Sequence, residues 1–282
     1  MQVLAALCFL VLAHLPPLRG EVVGSFQDVP DCLDFFYEGW VPEWGAANPN
    51  AARLCQRLNN RYHFATLYDT SNRIAIYSAY LFQTKDNKST ENEWCIEPQL
   101  VNMSWEKDMK DEKDLKGDKD KVNVYFGERQ ALDEDYLKSK YDRGHLNPKQ
   151  HQSGDSRQAT FTLTNVVPQN RNLNNGNWSK YETDLQINLT RCWKAYVLVG
   201  AIPSNNTWIG MNNTKRVNVP KYIWNAYCCL GKKSQPLHSG GAIAPNTDPT
   251  RVKRHTLSEL KLLLGQYTNS PVEELFHNNC EA

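Results

Sequence analysis

"YDRGHLNPKQH", Tyr141 to His151, decides how this chain is read. An acid, an arginine, a glycine and a histidine stand in a row, with Pro148 just behind them. Histidine titrates near neutrality, so His145 is a candidate general base. Gly144 lets the backbone turn tightly and lets a substrate approach. Arg143 offers a planar fork for a phosphate, or for the charge that develops on one. Asp142 can cap a turn or pair with a basic neighbour. Taken alone, such a run is more often a polar surface turn than a site, so its meaning depends on a partner elsewhere in the chain.

That partner is "LTNVVPQNRNLNNGNWSKYE", Leu163 to Glu182, which holds Asn165, Asn170, Asn172, Asn174, Asn175 and Asn177. Asparagine is a neutral oxygen ligand, suited to a hard cation that keeps most of its water. A helix is expected to begin near Asn174 or Asn175 and to run through Trp178 to Leu185 and beyond. Glu182 then lies about two turns past Asn174, close enough to hold metal-bound water. The competing reading is a loop of caps and Asx turns.

Together the two stretches resemble the DNA/RNA non-specific endonuclease family, the ββα-metal (His-Me finger) nucleases. The residues that carry the resemblance are Asp142-Arg143-Gly144-His145 with Pro148, then "TNVVPQ" (Thr164 to Gln169) and "LNNGNWSKYE" (Leu173 to Glu182). It continues in "VLVGAIP", "VPKYIWNAY", "AIAPNT" and the segment from Thr256, and so covers roughly Phe64 to the C-terminus. "FATLYDTSNRIAIYSAY", "ATFTLTNVVPQ" and the "HNNC" ending are similar to its endonuclease-domain-containing-1 group.

The resemblance implies an α+β fold of the ββα-metal type, with a central antiparallel sheet flanked by helices. It implies that His145 deprotonates the attacking water and that Asn174 is the one direct protein ligand of Mg²⁺, or of another divalent ion such as Mn²⁺. Glu182 would orient the metal-bound waters, Arg143 would neutralise the phosphate, and Asn165 and Gln169 would support the site. DNA or RNA is the implied substrate. The family's second, upstream arginine has no counterpart in "STENEWCIEP", where acids stand instead, and Arg73 is the candidate substitute.

Composition limits the surroundings of this site. The chain has 282 residues, is 40% hydrophobic and has a formal net charge of +1. That is enough apolar residue for a large core, whereas the charge gives no overall basic field, so any nucleic-acid footprint must be local. The opening "MQVLAALCFLVLAHLPPLRG" reads as a signal peptide over residues 1–20, the alternative being an anchor helix. A single disulfide-bonded domain over 21–282 is the simplest account, with no later membrane span and a secreted, extracellular location. Seven cysteines follow the signal without metal-type spacing, and in an oxidising compartment this implies disulfides with one thiol left over, expected to be Cys95. Vicinal Cys228 and Cys229 are expected to bond to different partners. Sequons at Asn87, Asn102, Asn188, Asn205 and Asn212 are glycosylation candidates, while Trp178 inside the Asn177 sequon disfavours a glycan there.

Several elements are also legible. "FATLYDTSNRIAIYSAYLFQ" reads as two strands about a turn, "WKAYVLVGAIP" and "YIWNAYCC" as buried strands, and "GGAIAP" as a short strand. Thr256 with Glu259 predicts a capping box and a helix. "AANPNAARLCQRLNN" is open to a short helix, and Glu106–Lys121 reads as a solvated charged run. His63, His238, His255 and His277 lack partners at metal spacing. Pro148 breaks any helix that would pair His151 with His145 in a zinc site. Lys149, Arg171 and Lys180 are candidates for a phosphate path. Two functions compete: a metal-dependent nuclease, and a catalytically silent secreted binding glycoprotein of the same fold.

Overall fold

A computed structural model describes residues 21–45, 47–84, 86, 93–114 and 125–281. The leader segment, Asn87 and the charged run beyond residue 114 lie outside the described residues. The frame is an eight-stranded antiparallel sheet. Its strands are β1 (Val22–Val23), β2 (Ala51–Leu58), β3 (Arg61–Asp69) and β4 (Ile74–Leu81). A separate antiparallel pair comes next, β5 (Tyr141–His145) with β6 (Val166–Asn170). The sheet then resumes with β7 (Lys194–Ile202), β8 (Tyr222–Leu230), β9 (Pro236–Pro245) and β10 (Lys253–His255). The spatial order is β1-β2-β3-β4-β7-β8-β9-β10.

The sheet is buried on both faces, so its central strands are apolar at nearly every position while alternate residues enter different cores. In β7, Val197, Val199 and Ala201 enter one core, and Tyr196, Leu198 and Ile202 enter the other. The first core is covered by the β5–β6 pair and by helix α1 (Ser179–Leu189), which contributes Tyr181, Leu185 and Leu189. The second is covered by helix α2 (Leu257–Thr268) through Leu257, Leu260 and Leu264, and by the apolar segment from Phe26 to Trp44. The candidate site therefore belongs wholly to one face.

Several expectations hold. The hairpin is β3–β4, the two buried strands are β7 and β8, and Thr256 caps α2 by accepting from Glu259 N while the Glu259 carboxylate accepts from Thr256 N. "GGAIAP" is the end of a longer strand, β9. The short helix allowed within "AANPNAARLCQRLNN" is absent, because Ala51–Leu58 is β2, hydrogen-bonded to β1 on one side and β3 on the other. Ala52 and Leu54 enter the first core, whereas Cys55 enters the second and is bonded to Cys32. Two-sided pairing and a disulfide outweigh the weak local helix preference of Ala-Ala-Arg-Leu.

Cys228 and Cys229 do take different partners, Cys280 and Cys192 respectively. Adjacent strand residues point to opposite faces, so one pair of cysteines can staple both sides of the sheet. Among the described cysteines only Cys95 is free; it is buried, and burial pushes its thiol up to about 12. No described helix is long and apolar enough to cross a membrane.

Candidate active site

Tyr141–His145 is a strand, β5, rather than the turn its glycine suggested. Asp142 lies opposite Gln169, Gly144 opposite Val167 and His145 opposite Val166. The reason for glycine is across the strand. A Cβ at position 144 would sit 2.1 Å from Gln169 Oε1 and 2.6 Å from Gln169 Cβ. Gln169 is buried against this gap, so the glycine lets two strands approach rather than letting one of them turn.

Asn165 sets the course of the chain beyond His145. Its Oδ1 accepts from Asn147 N at 3.0 Å and Ser78 Oγ at 3.1 Å, and its Nδ2 donates to the carbonyls of Asn147 and Thr160, both at 3.0 Å. Its own carbonyl accepts from Leu146 N at 2.9 Å. The buried amide is fully used, so the chain leaves β5 on one path.

After β6, Asn170 Oδ1 accepts from the N–H groups of Asn172 and Leu173, and a π-type turn over Leu173–Trp178 leads into α1. The regular helix thus begins later than the sequence indicated, at Ser179, and Asn174 stands on the wide turn before it. Asp142 ties this turn to β5. Its Oδ2 accepts from Asn174 Nδ2 at 3.2 Å and from Asn175 Nδ2 at 2.7 Å, and its Oδ1 pairs with Arg171 at 3.3 Å. With its nitrogen committed, the Asn174 amide presents Oδ1 as its open ligand atom.

A second tie joins α1 to the segment after Pro148. Gln150 Nε2 donates to Glu182 Oε2 at 3.1 Å, and Gln186 Nε2 donates to Gln150 O at 3.1 Å. His151 is locked behind them, with Nδ1 2.9 Å from Tyr80 Oη and Nε2 donating to Glu182 O at 3.0 Å. His145 stands in the chain between the residues that make the two ties, Asp142–Asn174 and Gln150–Glu182.

The His145 ring packs between Trp94, centroids 5.5 Å apart, and Phe161, edge-on at 5.2 Å. The backbone of Arg143 holds one side of the ring, whereas Nε2 is buried and has no partner among the described residues. Burial, with Lys149 nearby, lowers its pKa to about 4, so the imidazole is neutral at neutral pH. Lys149 itself lies over the Phe161 ring at 5.6 Å. Burial raises the Glu182 carboxyl to about 8, opposed by Trp178 and Gln150. The Trp178 indole approaches this carboxylate without a hydrogen bond of normal geometry, so Gln150 is the partner that counts.

Arg143 already has partners within the protein. It pairs with Asp133 Oδ1 at 2.6 Å, donates to Asp133 O at 2.9 Å, and lies over the rings of Trp94 and Tyr136. Arg73, the candidate substitute, donates to the carbonyls of Gly127, Glu128 and Arg216. Asn177 is exposed, and its Nδ2 donates to Thr250 O at 2.6 Å. Trp94, Phe161, Asp133, Gln150 and His151 complete the surroundings, and the motifs singled out none of them as site residues. Trp94 lies in "STENEWCIEP", and nothing local marks it as a neighbour of His145.

The donor set fits a hard divalent cation. A neutral amide oxygen is aimed by a carboxylate, and burial keeps the Glu182 carboxyl high, which is a state a cation relieves. A strand pair, a wide turn and a helix carrying His145, Asn174 and Glu182 have the order of a ββα fold. The DNA/RNA non-specific endonuclease family model matches residues 42–268, and the chain belongs to that family.

The human endonuclease domain-containing 1 protein is 33% identical over 93% of this chain, and the mouse protein 32% identical over 71%. These matches cover 50% and 38% of those proteins, so the chain spans about half the length of the curated relatives it matches, or less. Mouse mitochondrial nuclease EXOG is 29% identical over 41% of the chain. A chain in the crystal structure of the EndoG/EndoGI complex shares the fold, with TM-score 0.50 and 18% identity over 72% of this chain and 81% of that one.

Proposed function

We propose that the chain is a secreted, metal-dependent endonuclease that hydrolyses phosphodiester bonds in DNA, RNA or both. The observation that carries the reading is the buried Nε2 of His145, which has no partner among the described residues, on a ring held from its other side. A neutral imidazole of this kind accepts a proton from water as the water attacks phosphorus. The Arg143 backbone steadies the imidazolium that results. Trp94 and Phe161 keep the ring from turning and exclude bulk water.

Asn174 would hold the cation through Oδ1, with Glu182 beside it, and Asp142 keeps the amide from flipping. A bound Mg²⁺ or Mn²⁺ supplies charge neutralisation at the phosphate and at the leaving oxygen. Lys149 adds fixed positive charge near His145. None of these groups addresses a base edge, so cutting depends on backbone and groove shape. Secretion rests on the apolar opening stretch, the three disulfides and the sequons.

The second reading, a silent binding glycoprotein, draws on the Arg143–Asp133 pair, which leaves the site without a free arginine among the motif residues. Purified protein with plasmid DNA and RNA, in Mg²⁺, Mn²⁺ or EDTA, separates the two readings. Cutting that requires the ion and vanishes in His145→Ala supports the enzyme; no cutting with any divalent ion leaves the binding reading.

A further inference from the structure

The same face of the sheet carries a groove that the chemistry at His145 does not use. Two adjoining hollows of about 240 and 340 Å³ share Tyr181 and Arg254. The first begins at Asn177, three residues along the chain from Asn174, and is walled by Lys180 and Arg251.

The wall is anchored to the site. Asn172 Nδ2 donates to Asp248 Oδ2 and Asn177 Nδ2 to Thr250 O, both at 2.6 Å. Arg254 pairs with Asp184 at 2.8 Å and lies over the Tyr181 ring at 5.6 Å, so its charge is compensated. Lys180 and Arg251 are exposed, and neither has a carboxylate at ion-pair distance among the described residues. In a chain of net charge +1, two uncompensated cations facing one hollow beside the hydrolytic residues are a local concentration of charge. Cations at an edge strand also guard against stray pairing, but Arg251 precedes β10 and Lys180 projects from α1, so that role accounts for neither.

We infer that Lys180 and Arg251 form a phosphate subsite that holds the nucleic-acid backbone next to the phosphate being cut. The inference rests on the nuclease reading for its orientation and is read out without catalysis. Anisotropy of a labelled single-stranded oligonucleotide in EDTA, measured against salt, compares wild type with Lys180→Ala/Arg251→Ala. Each neutralised phosphate of a single strand contributes about 0.7 to the log–log salt slope, so the double variant is expected to be shallower by about 1.4. The exposed pair Lys232→Ala/Lys233→Ala keeps the wild-type slope. Hydrolysis of bis(p-nitrophenyl) phosphate, too small to reach the groove, is unchanged in the Lys180/Arg251 variant.

An unchanged slope overturns the subsite, as does an equal loss in the Lys232/Lys233 control. Loss of heparin binding with oligonucleotide binding intact also overturns it, since the groove then serves another polyanion. Plasmid cutting by wild type with an unchanged slope sinks the subsite alone. A shallower slope without any cutting sinks the nuclease reading alone.

Discussion

His145 and His151 lie six positions apart, on either side of Pro148, and burial lowers both to a pKa of about 4. They differ in what their nitrogens meet. His151 has a partner on each, Tyr80 Oη and the Glu182 carbonyl, and is a strut between the sheet and α1. His145 has the Arg143 backbone on one side and, among the described residues, nothing on Nε2. A shifted pKa alone does not separate a reactive histidine from a structural one. The unused lone pair does, because a fully bonded imidazole has no place for a water proton.

Replacing each histidine tests this contrast. His145→Ala is expected to reduce plasmid cutting by about 10²- to 10⁴-fold, the usual contribution of a general base. Its stability should fall as well, because a ring packed between Trp94 and Phe161 and its bond to the Arg143 backbone are lost, so cutting is compared per folded protein. His151→Ala should cost stability while largely sparing cutting. It orphans a buried hydroxyl and a buried carbonyl and is expected to cost about 2–4 kcal/mol of stability by urea unfolding, with cutting by the folded fraction reduced less than about tenfold. If the two variants exchange phenotypes, the base and the strut have been assigned the wrong way round.

Acid separates the pair from ordinary surface histidines. His151 is neutral when folded and has its ordinary pKa of 6.5 when unfolded, so between pH 6.5 and 4 the unfolded chain binds more protons. Its contribution is fully present above pH 6.5 and declines as the pH falls toward 4. One such group costs about 2 kcal/mol by pH 5. Urea unfolding of wild type at pH 7 and pH 5 should show this loss, and His151→Ala should show a smaller one. Equal losses in the two proteins would remove His151 from the account.

The sequence made the chemistry more legible than the geometry. Asp142, His145, Asn174 and Glu182 stood out through the resemblance to the endonuclease family, as residue types suited to a base, a ligand oxygen and a carboxylate. The β3–β4 hairpin and the α2 cap were equally plain, being local patterns. What escaped was set by contacts distant in the chain. Strand β2 is held by pairing on both edges, Arg143 by Asp133 and two rings, and His145 by Trp94 from far upstream. Periodicity carries no record of such partners. The start of α1 was displaced because Leu173–Trp178 opens into a wide turn around Gly176, whose φ of −117° and ψ of −109° break the regular helix.

Gly144 gives the smallest predicted effect and the finest test of how the base is aimed. Gly144→Ala places a methyl group against the Cβ and amide of Gln169, so β5 and β6 must separate or Gln169 must leave its buried place. The expected cost is about 1–3 kcal/mol, as for overpacking in a tight core. Because His145 is the next residue, a small shift of β5 also moves Nε2, and cutting should fall together with stability. Gln169→Gly in the same chain removes the obstruction. It should recover stability and cutting in parallel, measured by urea unfolding and plasmid nicking. If instead the glycine were needed for a special backbone angle, Gln169→Gly would restore neither. Its φ is not among the positive values in the chain, which favours the steric account. On that account the strand pair aims His145 through the closeness of Gly144 to Gln169, and the glycine serves the histidine by making room.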